Sequence, residues 1–268
     1  MATGKARKIT RSYVDLPDGQ VHLLTANGTN PPILFLHQTA SAATTYEQLL
    51  ERLPLPNRLI AMDTPGFGMS FKPCGWPTLA KYADWVVATA DKLKVSKFHV
   101  LGHHTGASLA VELPTRHPRR ISSIMLLGPV PMNTAERLAF RKPYGTPVKP
   151  QADGSHLMRF WNYAHGNNLG TDLEIIHDEV TNIARAWKGR AQAYRAVSYH
   201  DSMKALRKVA CPILLITSKQ DFFHDQFDRV RAVRPDADVA EIGGQAFPMR
   251  THTAEVARAI AAFINRRR

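Results

Sequence analysis

The chain has 268 residues, 44% of them hydrophobic and 21% charged, with a formal net charge of +13. That is the balance of a globular protein with a sizeable core, and no run approaches the ~18 consecutive apolar residues of a membrane-spanning helix. The positive charge is dispersed, apart from the short clusters Lys5-Arg7-Lys8-Arg11 and Arg266-Arg267-Arg268, and lacks aromatic interleaving; it argues for a solvated basic surface compatible with anionic small substrates, and against a nucleic-acid or membrane partner.

Residues 11–16 and 21–25 flank the turn Pro17-Asp18-Gly19-Gln20 and are expected to form an opening hairpin. The run Pro32-Ile33-Leu34-Phe35-Leu36 has the continuous apolar character of a strand buried on both faces, and so does Arg58-Leu59-Ile60-Ala61-Met62. Residues 44–53 have a helical pattern. In 78–93, Leu79, Tyr82, Val86, Ala90 and Leu93 fall at helical spacing. Next comes Phe98-His99-Val100-Leu101, then Gly102-His103-His104-Thr105-Gly106, then a helical pattern running to His117-Pro118. Residues 121–127 form another apolar run, closed by Gly128-Pro129.

The strand–helix alternation then stops. Residues 133–209 contain no convincing strand, but helical patterns at 134–140, 155–163, 173–187 and 190–199. Asn133 and Glu136 are spaced as a helix cap and its partner, Asp153 or Ser155 would cap the next helix, and 141–154 is loop-like. The alternation resumes with a strand at 212–217, a helix at 225–233, a strand at 238–242 and a closing helix at 253–264. The expected architecture is α/β: a mostly parallel eight-stranded sheet covered by helices on both faces. Residues 1–132 and 210–268 would form the core and 133–209 a helical cap. Ligands of such sheets sit beyond the C-terminal strand ends.

Strand, Gly-x-X-x-Gly, helix is the layout of a nucleophile elbow. With four further segments, in the expected order, the chain resembles the α/β-hydrolase family over nearly its whole length. Leu36-His37-Gln38-Thr39 is similar to the family's His-Gly oxyanion loop, and Asp63-Thr64-Pro65-Gly66-Phe67-Gly68-Met69-Ser70 to its Asp-x-Pro-Gly-x-Gly-x-Ser loop. Ser218-Lys219-Gln220-Asp221 ends a strand where the family places its acid. Gly243-Gly244-Gln245-Ala246-Phe247-Pro248-Met249 resembles the segment that carries the family's catalytic His.

The departures bear on chemistry. The nucleophile position holds His104, the base position holds Gln245 or Ala246, and Gln38 stands where the oxyanion loop usually has Gly; Asp221 alone keeps its family identity. A Ser-His-Asp mechanism needs a hydroxyl and a base that this chain lacks at those places. The resemblance still implies backbone oxyanion donors, at Thr105 and at Thr39 or Gln38. His104 projecting from the elbow is expected to reach Asp221 and act as a general base. His37, His103, His156, Phe160, Trp161, Gln245 and Phe247 are further candidates for the pocket. No metal or organic cofactor is expected, since the histidines show no ligand spacing. The basic N-terminus has no apolar segment behind it, and Cys74 and Cys211 lie far apart, so a cytoplasmic protein without a secretory signal is expected. The functional expectation is turnover of a small, partly apolar carbonyl or ester compound. The alternatives are a cofactor-independent lyase, isomerase or decarboxylase on the same site, or a ligand-binding protein without activity.

Overall fold

A computed structural model describes residues 6–267. Lys5 and Arg268, the outer ends of the two basic clusters, lie outside the described residues. The sheet comprises β1 (Ile9–Leu16), β2 (Gly19–Ala26), β3 (Thr29–Leu36), β4 (Asn57–Met62), β5 (Phe98–His103), β6 (Ile121–Leu127), β7 (Ile213–Thr217) and β8 (Asp238–Glu241). Their order is β1-β2-β4-β3-β5-β6-β7-β8. The first two pairings, β1 with β2 and β2 with β4, are antiparallel; β3 to β8 run parallel. β3 starts at Thr29, three residues before the apolar run, because Asn30 and Pro31 at its exposed end carry no hydropathy signal.

The helices are α1 (Glu47–Arg52), α2 (Leu79–Lys92), α3 (Thr105–Arg116), α4 (Thr134–Tyr144), α5 (Ser155–Gly166), α6 (Leu173–Arg185), α7 (Trp187–Tyr199), α8 (Ser202–Leu206), α9 (Phe227–Val233), α10 (Pro248–Thr251) and α11 (Thr253–Asn265). Residues from α2 and α3 pack with Leu34, Leu36, Val100 and Leu126 on one face of the sheet. α1 and α11 pack with Phe35, Leu101, Met125 and Leu215's neighbour Ile216 on the other. Both faces are therefore dry, as a parallel sheet requires. α4 is capped by the reciprocal Asn133–Glu136 box. At α5 the cap position belongs to Gly154; Asp153 accepts the Ser155 amide from just outside the helix.

Register places the site. Leu36 pairs with Gly102, His103 with Leu127, and Leu127 with Ile216. The loops after β3, β5, β6 and β7 consequently leave the sheet side by side. The chain turns to opposite sides after β3 and β5, so a crevice opens between their ends, the ordinary ligand position in such sheets.

Five helices, α4 to α8, separate β6 from β7. This insertion has its own apolar cluster, with Phe160, Ala164, Ile176 and Ile183 packed against Ala40, Phe67 and Phe247 of the core. α7 fastens it down. A Cβ at Gly189 would strike the backbone of Gly66, so only glycine lets the two chains approach this closely. The Gln192 amide donates to Pro73 O (3.0 Å) and Gly75 O (2.7 Å), and the Tyr194 hydroxyl donates to Thr39 O (3.2 Å). Arg190 lies among the rings of Tyr163 (4.6 Å), Tyr194 (5.0 Å) and Tyr144 (5.5 Å), joining α4, α5 and α7 by cation–π contacts.

The Asp63–Ser70 loop is built around one buried carboxylate. Asp63 accepts from the Ala43 amide (2.6 Å), the Met69 amide (2.8 Å) and His22 Nδ1 (2.8 Å). Burial alone would raise its pKa, but these donors and nearby His37 bring it below the ordinary carboxylate value. Its work is structural: it ties the loop to β2 and to the segment after β3.

Candidate active site

β5 ends by presenting His104 on a tight turn into α3. Its φ of 47° and ψ of −105° are costly for a residue with a Cβ. The flanking glycines make the turn possible: a Cβ at Gly102 would collide with Gly106 O, and one at Gly106 with Leu36 O. The chain thus forms a strained strand-to-helix turn with an imidazole at its tip.

His104 Nε2 lies 2.7 Å from Asp221 Oδ2. Asp221 is held in a turn after β7, where its Oδ1 accepts the Phe223 amide at 2.8 Å, leaving Oδ2 aimed at the ring. Desolvation would raise the Asp221 pKa, but His104, by charge and hydrogen bond, and then the Phe223 amide bring it down to about 2. A carboxylate ionised at neutral pH can only accept. Neutral His104 must therefore carry its proton on Nε2, which leaves the Nδ1 lone pair as the basic site. Nδ1 has no hydrogen-bond partner among the described residues. Gly128 makes room for the pair: with φ +54°, its hypothetical Cβ would enter the His104 ring and come within 2.7 Å of Asp221 Oδ2. The ring of Phe223 stands edge-on to His104, 5.5 Å between centroids.

His104 and Thr105 form part of the floor of a cavity of about 250 Å³, enclosed between the sheet edge and the helical insertion. Gln38, Thr39, Gln245 and Phe247 also line it, as do Tyr144, Tyr163, Tyr194, Asn168 and Glu179 from the insertion. The Thr105 amide is the first of α3 and, like the Thr39 amide, makes no hydrogen bond to another described residue. Both are free to hold a developing negative charge, aided by the positive end of α3.

Other candidates lie elsewhere. His37 sits beneath the floor, donating from Nδ1 to Gln38 O (2.7 Å) and accepting from the Thr64 amide (3.1 Å) at Nε2. Burial lowers its pKa, so it is a neutral brace. His103 is buried behind His104, with ring centroids 4.4 Å apart. Burial first, and the adjacent His104 second, hold it well below the usual imidazole range. His156 faces the α5 entry, where its Nδ1 accepts the Gln151 amide. Phe160 is consumed in the packing of the insertion, and Trp161 stacks on His165. None of these five borders the cavity: His37 and His103 lie beneath its floor, and α5 turns its Tyr163 and Ala164 side toward it rather than the other three.

Among the described residues, His103, His104 and Asp221 are the one trio of potential metal ligands whose donor atoms fall within 4.8 Å of one another. Within this trio, His104 Nε2 and Asp221 Oδ2 are already engaged with each other at 2.7 Å.

Glu179 was not singled out from the sequence. It is buried, and burial pushes its pKa up to about 7, against the smaller opposing pull of a hydrogen bond with Ser41 and the charge of Arg190. A signal existed: Ile176, Glu179 and Ile183 are the buried positions of α6, at helical spacing, so the acid falls on the apolar stripe. The cavity wall includes no Lys or Arg. The nearest cation described is Arg190, which lies behind the cavity tyrosines Tyr144, Tyr163 and Tyr194.

The chain belongs to the alpha/beta hydrolase fold family, whose sequence profile matches residues 31–234. It is similar to a putative non-heme haloperoxidase of a Mycobacterium phage, 33% identical over 101 residues, covering 37% of this chain and 36% of that protein. It is also similar to a haloalkane dehalogenase of Agrobacterium fabrum, 29% identical over 114 residues, covering 42% and 37%. The matched segment spans little more than a third of the length of either relative. Among solved structures, the enol-lactonase from Burkholderia xenovorans superposes with a TM-score of 0.78 at 16% identity, covering 95% of this chain and 100% of that one. No helix among the described residues is long and apolar enough to cross a membrane.

Proposed function

We propose that the chain is a hydrolase of small, partly apolar carbonyl compounds, esters or lactones, in which His104 is a general base rather than a covalent nucleophile. The observation that carries this reading is the 2.7 Å contact between His104 Nε2 and Asp221 Oδ2 at the cavity floor. Asp221 fixes the tautomer and stabilises the imidazolium once formed. His104 Nδ1 takes a proton from a water molecule as the water oxygen attacks the substrate carbonyl. The Thr39 and Thr105 amides receive the oxyanion. Its collapse expels the leaving group, which takes the proton back from Nδ1. The base is regenerated without an acyl-enzyme. The helical insertion acts as a cap that excludes bulk water, and Phe247, Val130 and Phe223 supply apolar contact.

Incubation with a fluorophosphonate probe, alongside a panel of neutral esters and lactones, tests the absence of a nucleophile. Turnover without stoichiometric labelling is expected. Labelling at the elbow would overturn the reading. Glu179 favours a second use of the same base: two proton-transfer groups on one cavity suit an isomerase or lyase, where His104 removes a proton and Glu179 delivers one. Solvent deuterium incorporated into unhydrolysed substrate would mark that route.

A further inference from the structure

Of the residues that line the cavity, three are exposed: Asn167, Gln220 and Phe222. They mark its mouth, which lies between the turn after β7 and the end of α5. None of the three is charged, and Phe222 is the one apolar member. At 76% exposure it is also the most exposed large hydrophobic side chain among the described residues. Leu169, two residues beyond Asn167, follows at 66%, and its carbonyl accepts from Nε2 of the wall residue Gln245 at 3.3 Å.

A single exposed apolar side chain is ordinary on a protein surface. Two features separate Phe222 from that background. Its turn is held on both sides: Ser218 O accepts the Asp221 amide (3.0 Å), Asp221 Oδ1 the Phe223 amide (2.8 Å) and Asp221 O the His224 amide (3.0 Å). The backbone therefore keeps Phe222 at the mouth. The ring also continues the wall of the cavity outward. Phe223 stands edge-on to His104 at 5.5 Å, and Phe222 edge-on to Phe223 at 5.0 Å, so aromatic surface leads in two steps from the floor to solvent. Removing water from the outer ring is favourable only for something apolar that reaches it. A ligand whose carbonyl sits at His104 does so by sending a chain out through the mouth.

We propose that the substrate carries an alkyl tail that leaves the cavity through its mouth and lies against Phe222, which thereby sets the preference for tail length. The proposal rests on the reading of the cavity as a substrate site and narrows the class to carbonyl compounds longer than the enclosed space. It does not depend on the role of His104. A short compound fills the floor and gains nothing from the rim.

Methyl ketones test this without turnover, because they carry no leaving group. The affinities of 2-butanone, 2-hexanone, 2-octanone and 2-decanone are measured by titration calorimetry on the whole protein. A fully buried methylene is worth about fourfold in affinity, and one half-covered on the rim about twofold. Affinity should therefore climb through the whole series, in smaller steps at the long end. In Phe222→Ser, checked for an unchanged melting transition, 2-decanone should weaken about five- to tenfold and 2-butanone less than about twofold. Phe222→Leu should keep most of the gain, and Phe222→Gln replaces Phe222→Ser should that variant fail to fold. Affinity that levels off before 2-octanone, equal weakening of short and long ketones, or an unaltered series in Phe222→Ser would overturn the proposal and leave the cavity reading standing. Failure of every ketone to bind would overturn both. Binding to anionic phospholipid vesicles that is lost in Phe222→Ser, with the ketone series unchanged, would assign the ring to a membrane surface and overturn the proposal.

Discussion

The floor and the roof of the cavity were built under different constraints. The floor comes from the sheet edge, where backbone geometry dominates: a strained turn at His104, two glycines that nothing larger could replace, and unpaired amides at Thr39 and Thr105. The roof comes from α4 to α7 and the turn between α5 and α6, and its contribution is almost entirely side chain: tyrosine hydroxyls, the Asn168 amide and the Glu179 carboxyl. The comparison teaches that the geometry of the floor resides in the backbone and does not depend on which side chain stands at position 104. The imidazole at position 104 sits on a strained strand-to-helix turn, beside the unpaired amides of Thr39 and Thr105 and in contact with Asp221. The roof has no such backbone frame, and its character depends on which side chains its segments present.

The floor should be the more fragile to small changes. Asp221→Asn keeps the shape but loses the negative charge that steadies the imidazolium. Its kcat should fall about 100-fold or more, with KM little altered, in steady-state assays on the best substrate of the ester panel. Gly128→Ala places a methyl group where the His104 ring and Asp221 meet, and does so at positive φ. About 1–3 kcal/mol of stability should be lost in urea titrations, together with most activity. Survival of full activity in that variant would show that the dyad is not held as tightly as the packing implies.

The roof should respond to pH instead. The Glu179 carboxyl ionises near its ordinary 4.5 in the unfolded chain but at about 7 when folded. A raised acid pKa means that the folded state binds the extra proton, so stability is full below about 4.5, declines as pH climbs to about 7, and is then level. Glu179→Gln has no carboxyl to ionise. It should match the parent at pH 5 more closely than at pH 8, where it gains on the order of 2–3 kcal/mol by denaturant unfolding. A pH-independent difference would place Glu179 in contact with solvent.

The same division explains what could be read from the sequence. Parallel strands buried on both faces produce runs such as Ile33-Leu34-Phe35-Leu36, and their strand character is plain. Glycine-bound turns and the acid at Asp221 have fixed positions relative to those strands, so His104, Thr105, Thr39, Gln245 and Phe247 were all legible as neighbours of one cavity. The roof lacks such punctuation. On an amphipathic helix, a polar residue facing a cavity and one facing solvent leave similar marks, so His156, Phe160 and Trp161 were placed too close, and Asn168, in the turn between α5 and α6, carries no periodic signal at all. Glu179 was recoverable from the spacing of Ile176 and Ile183, because an acid on a buried stripe requires a reason.

The central claim is that His104, oriented by Asp221, supplies the base. The direct measurement is kcat/KM of His104→Ala against the parent on the best ester or lactone of the panel, with melting curves recorded for both. The account predicts a fall of about 100- to 10,000-fold with the melting transition essentially unchanged, the usual contribution of a positioned general base. Activity within about threefold of the parent, in a folded variant, would contradict it.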